Sequence, residues 1–370
     1  MTHLPSIFSL PRSVALACAL AALPASHLAQ AQTSAPADTP ASAAAPADAK
    51  TAIETHLENA ERLQGLKSVA LASFQVYMLN EFEAGSTAQG GSTRGSISST
   101  HSNMKVVGLE PARLQALTDE LYQSTLAMLK ARGIAVMEPA ALDALPAMAA
   151  LKAAADKAPL PFDAAGGKGH IYSASGLPLL HVYENAWLHR SGGMFGPKID
   201  DHYVSLGDKM SVGFRLTTLQ PLLKDLAVAT QMPLLHVRLV LAPGGVQASK
   251  GGFFAGSSET KTTSTLVMPV YTNRFMLTTA DGGVGRVSLN TALLSEQGMG
   301  ELVDVTSTAE TAGNVALAAF SILAAASGTG RAVMNNSRKQ ELRPSHELFD
   351  GVAKAQSTQV LQALSAKLAP

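Results

Sequence analysis

The chain has 370 residues, 46% of them apolar, and carries 28 basic against 28 acidic side chains. That length and apolar content suffice for one large or two moderate cores, and the balanced charge offers no electrostatic basis for binding nucleic acid or an anionic membrane surface. The single cysteine, Cys18, falls in a segment expected to be removed, so disulfides, cysteine-ligated zinc and iron–sulfur centres are not expected in the mature chain.

Arg12 supplies the only positive charge ahead of the apolar run from Ser13 to Leu23, and Pro24 breaks that run. Ala29-Gln30-Ala31 then has the small-x-small pattern read by a signal peptidase, so residues 1–31 are read as a signal peptide cut after Ala31. The run is about half the ~20 residues that cross a bilayer, and no transmembrane helix is expected in the mature chain. Ala15-Leu16-Ala17 before Cys18 lacks the branched apolar residue of a lipoprotein signal. Residues 32–50 hold eight alanines and three prolines in nineteen positions and read as a disordered linker.

From 51 to 370 the pattern predicts a single α/β domain, a mixed sheet with helices packed on it. Thr51 and Glu54 form a capping box, with Ile53, Leu57, Ala60 and Leu63 at helical spacing to Gly65. Val69 to Met78 reads as a strand, with Ala70, Ala72, Phe74, Val76 and Met78 assigned to one face. The Gly/Ser/Thr-rich residues 83–102 lead into Met104-Lys-Val-Val107 and predict a hairpin closing beside that strand. Pro111 opens an amphipathic helix to Arg132, Gly133 ends it, and Ile134 to Glu138 follows as a buried strand, giving a βαβ succession. Ala140 to Lys157 is helical with a break at Pro146, and about 158–214 reads as a loop-rich insert with short strands at Ile171-Tyr172 and Leu179 to Tyr183.

A helix from about Leu219 to Gln231 precedes a strand, Leu234 to Ala242, with Leu235, Val237, Leu239 and Leu241 on one face. A second Gly/Ser/Thr-rich stretch, 243–264, separates it from an expected hairpin of Leu266 to Tyr271 with Arg274 to Thr279. Asp281-Gly-Gly283 then turns into Arg286 to Leu289. Glu301 to Thr306 is a short strand. Ser307 and Glu310 cap an apolar helix to Ser327, a polar loop follows, and Ser345 to Leu368 closes the fold as a helix with Phe349, Val352, Val360, Ala363 and Leu364 inward.

No motif for chemistry holds. The Gly-x-Ser-x-Gly elbow of serine hydrolases is missing from the sequence. Ser102-Asn-Met-Lys105 has the serine–lysine spacing of penicillin-recognising enzymes, yet it runs into a β pattern where that motif must start a helix. Asp281-Gly-Gly-Val-Gly-Arg286 lies between β patterns and reads as a turn, not a phosphate loop. The one compositional anomaly is 170–203, with His170, His181, His189 and His202, the only tryptophan, Trp187, and three of the six tyrosines. Packed loop histidines, a ligand or partner surface, and a metal site all read from this cluster; the spacings fit no helix-borne ligand pair, and no metal or cofactor is assigned. The candidate contact surface is His181, Trp187, His189, Arg190 and His202, with Trp187 as its anchor.

Val69-Ala-Leu-Ala-Ser-Phe-Gln-Val-Tyr77, Leu117-Thr-Asp-Glu-Leu-Tyr122, Gly133-Ile-Ala-Val-Met137 and Val303-Asp-Val-Thr-Ser307 occur in an order that resembles an envelope α/β domain. That domain occurs in the curli secretion-channel lipoprotein, in lipoprotein activators of penicillin-binding proteins, and at the N-terminus of the Tol-system propeller protein. The chain is also similar to a group of secreted Gram-negative envelope proteins. The resemblance spans about residues 66–368 and implies a scaffold for protein partners, without catalytic residues to carry over. The lipidated cysteine of those lipoproteins has no counterpart after Ala31. The expectation is a non-enzymatic periplasmic or secreted binding or assembly protein, acting on envelope protein partners or by self-association. The alternatives are an envelope enzyme with its site in 170–203, or an export-channel-like component.

Overall fold

In the computed structural model, which describes residues 53–89, 97–164, 167–181, 206–250, 258–311, 314 and 333–368, the chain opens on a strand where the spacing predicts a helix. β1 (Thr55–Glu58) pairs antiparallel with residues 286–289, and a 3₁₀ turn, Ala60–Arg62, follows the left-handed Asn59. Of the four residues at helical spacing only Leu63 is fully buried, while Leu57 is exposed. A short segment at a sheet edge gains more from ladder hydrogen bonds than from an isolated turn of helix, whose nucleation is costly.

The sheet grows from β2 (Ser68–Gln89), which forms the expected hairpin with β3 (Ile97–Val106) from Glu81↔Lys105 to Gln89↔Ile97. α1 (Pro111–Ala131) buries Leu114, Leu117, Leu121, Tyr122, Leu126 and Leu129, and Gly133 ends it at φ 76°. The strand after it shrinks to β4 (Ala135–Val136), parallel to the start of β2. Because β3 is antiparallel to β2 and β4 parallel to it, the strand–helix–strand succession is not a parallel βαβ unit.

The break at Pro146 separates α2 (Pro139–Asp143) from α3 (Pro146–Ala153) as expected. Most of the described part of the predicted insert is regular structure instead of loop. β5 (Leu160–Ala164) and β6 (Gly167–Ser173) form a hairpin whose second strand lies antiparallel on β2, and α4 (Leu206–Thr230) starts well before Leu219, with Pro221 accommodated inside it.

β7 (Leu234–Lys250) runs parallel to β2 from Ala70↔Leu234 to Met78↔Leu241. Its second half is the Gly/Ser/Thr-rich stretch, which pairs with β8 (Ser258–Met268). Residues 266–271 and 274–279 are therefore not mutual partners. β9 (Arg274–Thr278) pairs with the first half of β7 and with β10 (Val284–Leu289) through the predicted Asp281-Gly-Gly turn. β11 (Leu293–Gly298) joins β8, and β12 (Gly300–Asp304) joins β13 (Val333–Pro344). β13 occupies the predicted polar loop and runs parallel to β3. Its described side chains other than Leu342 are at least partly exposed, so no hydrophobic alternation marks it.

The Ser307 capping box forms, with Glu310 N–H donating to Ser307 Oγ at 3.2 Å and Ser307 N–H to Glu310 Oε2 at 3.2 Å. The rest of that helix beyond Asn314, like the expected signal and linker, lies outside the described residues. α5 (His346–Ser365) closes the fold, burying Phe349, Val360 and Leu364.

The fold is α/β: a mixed sheet with helices on both faces. α1 and α5 cover one face, where they meet Phe74, Val76, Val237, Leu239, Phe275 and Leu277. On the other face, α2, α3 and α4 pack on Ala70, Ala72 and Leu234, and farther along a second cluster joins Tyr77, Leu79, Val240 and Ala242 to the β3, β6 and β13 strands. Ala72 is skipped in the β2–β7 register, a bulge that puts it and Ser73 against the same stretch of partner. The alternation from Ala70 to Met78 read from sequence is thus split: Ala70 and Ala72 face away from Phe74, Val76 and Met78.

Two glycines test this packing. A Cβ on Gly169, in β6, would lie 2.0 Å from the Met78 carbonyl oxygen, so Gly169→Ala should cost about 3 kcal/mol or more. Gly351, in α5, has nothing within 4 Å of an added Cβ, and Gly351→Ala should stabilise by about 0.5–1 kcal/mol. Urea denaturation of both variants reads the two opposite signs.

Candidate ligand cavity

On the face of the sheet opposite α1 and α5, β2 and β7 are apolar at both ends and polar between. β2 reads Ala70, Ala72, then Ser73 and Gln75, then Tyr77 and Leu79; β7 reads Leu234, then His236 and Arg238, then Val240 and Ala242. Parallel pairing sets the two interruptions side by side, Ser73 against His236 and Gln75 against Arg238. β9 and β10 extend the rows: Arg274 lies opposite Arg238, Met276 opposite His236, and Arg286 opposite Met276. The result is a polar island between two apolar clusters.

A cavity of about 410 Å³ stands over this island, within the size range of small-molecule sites. Its floor is Ser73, Gln75, His236, Arg238, Arg274, Met276 and Arg286, and Leu180 with Leu219 and Leu223 of α4 supplies an apolar side next to Gln220. None of the described lining residues is acidic. The turn at the cavity's far end is pinned by Arg62, whose guanidinium bonds Asp281 at 3.0 Å. Hydrogen bonds from Thr279 and from the Gly283 N–H, together with Arg62, hold the Asp281 carboxyl well below its usual range.

The polar groups are unequally satisfied. Ser73 Oγ and Nδ1 of His236 share a hydrogen bond of 2.9 Å, and with the hydroxyl donating, the ring proton sits on Nε2, which has no partner. Nε2 of Gln75 and Nε of Arg286 likewise have none, although Nη1 of Arg286 binds Glu58 at 3.0 Å. Arg238 lies 4.7 Å over the Tyr77 ring, and it and Arg274 make further interactions. Burial, with the Arg274 charge beside it, pushes His236 down to about 4, so the imidazole is neutral at pH 7. Leaving buried donors unsatisfied costs stability, and such groups in native proteins ask for an explanation.

Of the residues predicted as a contact surface, only His181 is among those described. It is partly buried, with Nδ1 and the Tyr77 hydroxyl 3.0 Å apart. Trp187, His189, Arg190 and His202 lie outside the described residues. His181 is joined through Tyr77 to Arg238, and its neighbour Leu180 lines the cavity, so the described chain reaches the predicted surface from the cavity wall. His170 lies apart, in a smaller hollow with Asn80 and Tyr172. Among the described residues no group of three His, Cys, Asp or Glu could hold a metal ion.

Sequence reasoning missed Ser73, Gln75, His236, Arg238, Arg274 and Arg286. The signal was available: His236 and Arg238 alternate with Leu235, Val237 and Leu239 in a strand whose flanks are apolar on both faces. A buried strand with a two-residue polar gap on one face marks something that apolar packing does not need.

No family model, curated protein or solved structure matches the chain.

Since His236 is neutral in the fold and its unfolded value is 6.5, the unfolded chain binds the extra proton first as pH falls. Its contribution to stability is complete above about pH 6.5 and declines toward pH 4, by about 3 kcal/mol at ~1.4 kcal/mol per unit. His236→Gln, which keeps a partner for Ser73 and does not titrate, should flatten this part of the profile. Urea denaturation of both proteins from pH 7.5 to 4 measures it, and parallel profiles would count against a buried neutral imidazole.

Proposed function

We propose that this chain is an exported, non-enzymatic binding protein of the bacterial envelope, in the periplasm or secreted, whose contact site is the cavity over β2, β7, β9 and β10 and extends along the chain at His181. The observation that carries the reading is the cavity itself: unpartnered polar groups set on sheet strands between two apolar clusters. A rigid floor suits recognition, because groups fixed by a ladder lose little freedom on binding.

The Ser73–His236 pair favours binding over acyl transfer. Catalysis of that kind asks for a base near the working pH, an orienting carboxylate and donors for an oxyanion. Here burial holds His236 down to about 4, its Nε2 has no partner, and Ser73 and His236 sit in adjacent paired strands whose backbone N–H groups serve the ladder. Export rests on the Arg12 to Ala31 pattern, and no helix among the described residues is long and apolar enough to cross a membrane.

Native mass spectrometry of the protein recovered from a periplasmic extract tests the reading. The expected chain begins at Gln32 or within a few residues of it, carries no lipid, and bears a small-molecule adduct that is absent from Leu223→Trp, which fills the cavity. A retained N-terminus or an acylated Cys18 would overturn export, and an identical adduct on the Leu223→Trp variant would overturn the cavity as the site.

A further inference from the structure

We infer that the molecule has a second binding site, separate from the cavity over β7: the hollow at His170 takes one small neutral molecule, a single aromatic ring carrying a hydroxyl group. The hollow measures about 160 Å³ and lies between the β2–β6 pair and the first turn of α1. Met78, Val106, Leu109 and Leu114, with the rings of Pro111 and Pro159, give it apolar walls, and Asn80, His170 and Tyr172 are its polar groups. Both prolines are exposed, so the hollow reaches the surface.

Strand register brings the polar groups together. Val76 stands opposite Tyr172 and Met78 opposite His170, and residues directly opposite in a pair share a face of the sheet. Asn80 is left out of the pairing between Leu79 and Glu81, a bulge of the kind that re-aims a side chain.

Tyr172 carries the inference. It is only 2% exposed, and its hydroxyl has no hydrogen-bond partner among the described residues, although a buried tyrosine usually finds one. Unlike the orphan nitrogens of Gln75, His236 and Arg286, this hydroxyl is not sealed inside the protein, and the space that Tyr172 lines is the hollow. Burial raises its pKa above the ordinary tyrosine value, so the group keeps its proton and can both donate and accept. The side chains of Asn80 and His170 are likewise without hydrogen-bond partners among the described residues.

The lining selects the ligand. No Asp, Glu, Lys or Arg is among the described lining residues, so a charged molecule would lose its hydration without an opposite charge to meet. A ligand hydroxyl, itself donor and acceptor, suits a phenol, an amide and an imidazole in either tautomer. The volume suits one ring, since an apolar cavity of ~150 Å³ holds benzene. Proline rings pack on aromatic rings in the grooves that read proline-rich segments, and two of them line this hollow. No strand edge is open beside it, because β6 lies between β2 and β5 and β2 is itself paired with β7 as far as Met78. A peptide therefore cannot dock there by strand addition, and the ring arrives on a free molecule.

NMR titration of the protein with p-cresol, toluene, hexan-1-ol and N-acetyltyrosinamide tests this. p-Cresol is expected to bind about threefold to tenfold more tightly than toluene, the weight of one neutral hydrogen bond, and to shift backbone amides near Asn80, Leu109 and Tyr172. Tyr172→Phe should erase that difference while leaving toluene affinity and the melting temperature unchanged, because the hydroxyl it removes bonds nothing in the fold. Leu109→Trp, which fills the hollow from its partly buried rim, should abolish binding of both. Equal affinity for p-cresol and toluene, or an undiminished difference in Tyr172→Phe, would overturn recognition of the hydroxyl. Hexan-1-ol binding as tightly as p-cresol would overturn the ring, and N-acetyltyrosinamide doing so would overturn the free molecule in favour of a side chain from a partner. Absence of p-cresol binding, or binding unaltered in Leu109→Trp, would overturn the site.

Discussion

Parallel pairing of β2 with β7 is the constraint on which the rest of the molecule depends. Each strand is much longer than the stretch over which the two pair, and each changes partner along its length. β2 has β6 on one side, and on the other it passes from β7 to β3; β7 passes from β9 to β8. A strand that changes partner leaves a gap in its ladder, where a backbone N–H would be orphaned at high cost. At Val240 the gap is filled by a side chain: Val240 N–H donates to Asn273 Oδ1 at 2.7 Å, while Asn273 Nδ2 donates to the Pro269 carbonyl at 2.8 Å. Fully buried Asn273 thus replaces a strand at the point where the chain turns from β8 into β9.

The same register creates the site. With Ala72 left out of the pairing, Ser73 falls against His236 and Gln75 against Arg238, so two short polar interruptions far apart in sequence become one island. Without the bulge, Ser73 would share the face of Phe74's neighbours in the α1–α5 core, where a hydroxyl has no use. The bulge therefore sorts side chains as well as bending the strand, a common role for such irregularities beside functional sites. The island is costly to keep, with three unpartnered donors, while the clusters on either side show that apolar residues fit the same face. Retained cost of that kind is what a stability–function trade-off looks like in a fold.

What was legible in the sequence had strong local marks: α1 with its left-handed Gly133, the Ser307 capping box, the Asp281-Gly-Gly turn and the inner face of α5. Three losses share one cause, which is that pairing partners are non-local. The segment of β1 imitates a helix because Ile53 and Leu57 happen to fall at i, i+4; β13 shows no alternation because its described side chains other than Leu342 are at least partly exposed; and residues 243–250 become strand because β8 lies beside them. The bulge at Ala72 was invisible for the same reason, and with it went the correct face of Ser73. Beside the Gly/Ser/Thr-rich stretches, Phe82, Met104, Ala242, Val267 and Leu342 belong to one buried cluster.

Leu180, in the cavity wall, and His181, one of the residues expected to form a contact surface, are consecutive in the chain. Leu180 forms part of the cavity wall, His181 bonds Tyr77, and the Tyr77 ring supports the Arg238 guanidinium from below. Of the residues that made 170–203 conspicuous, His181 is thus linked through Tyr77 to the arginine floor. Tyr77 is the shared element, since its ring faces the basic island and its hydroxyl meets the chain at His181.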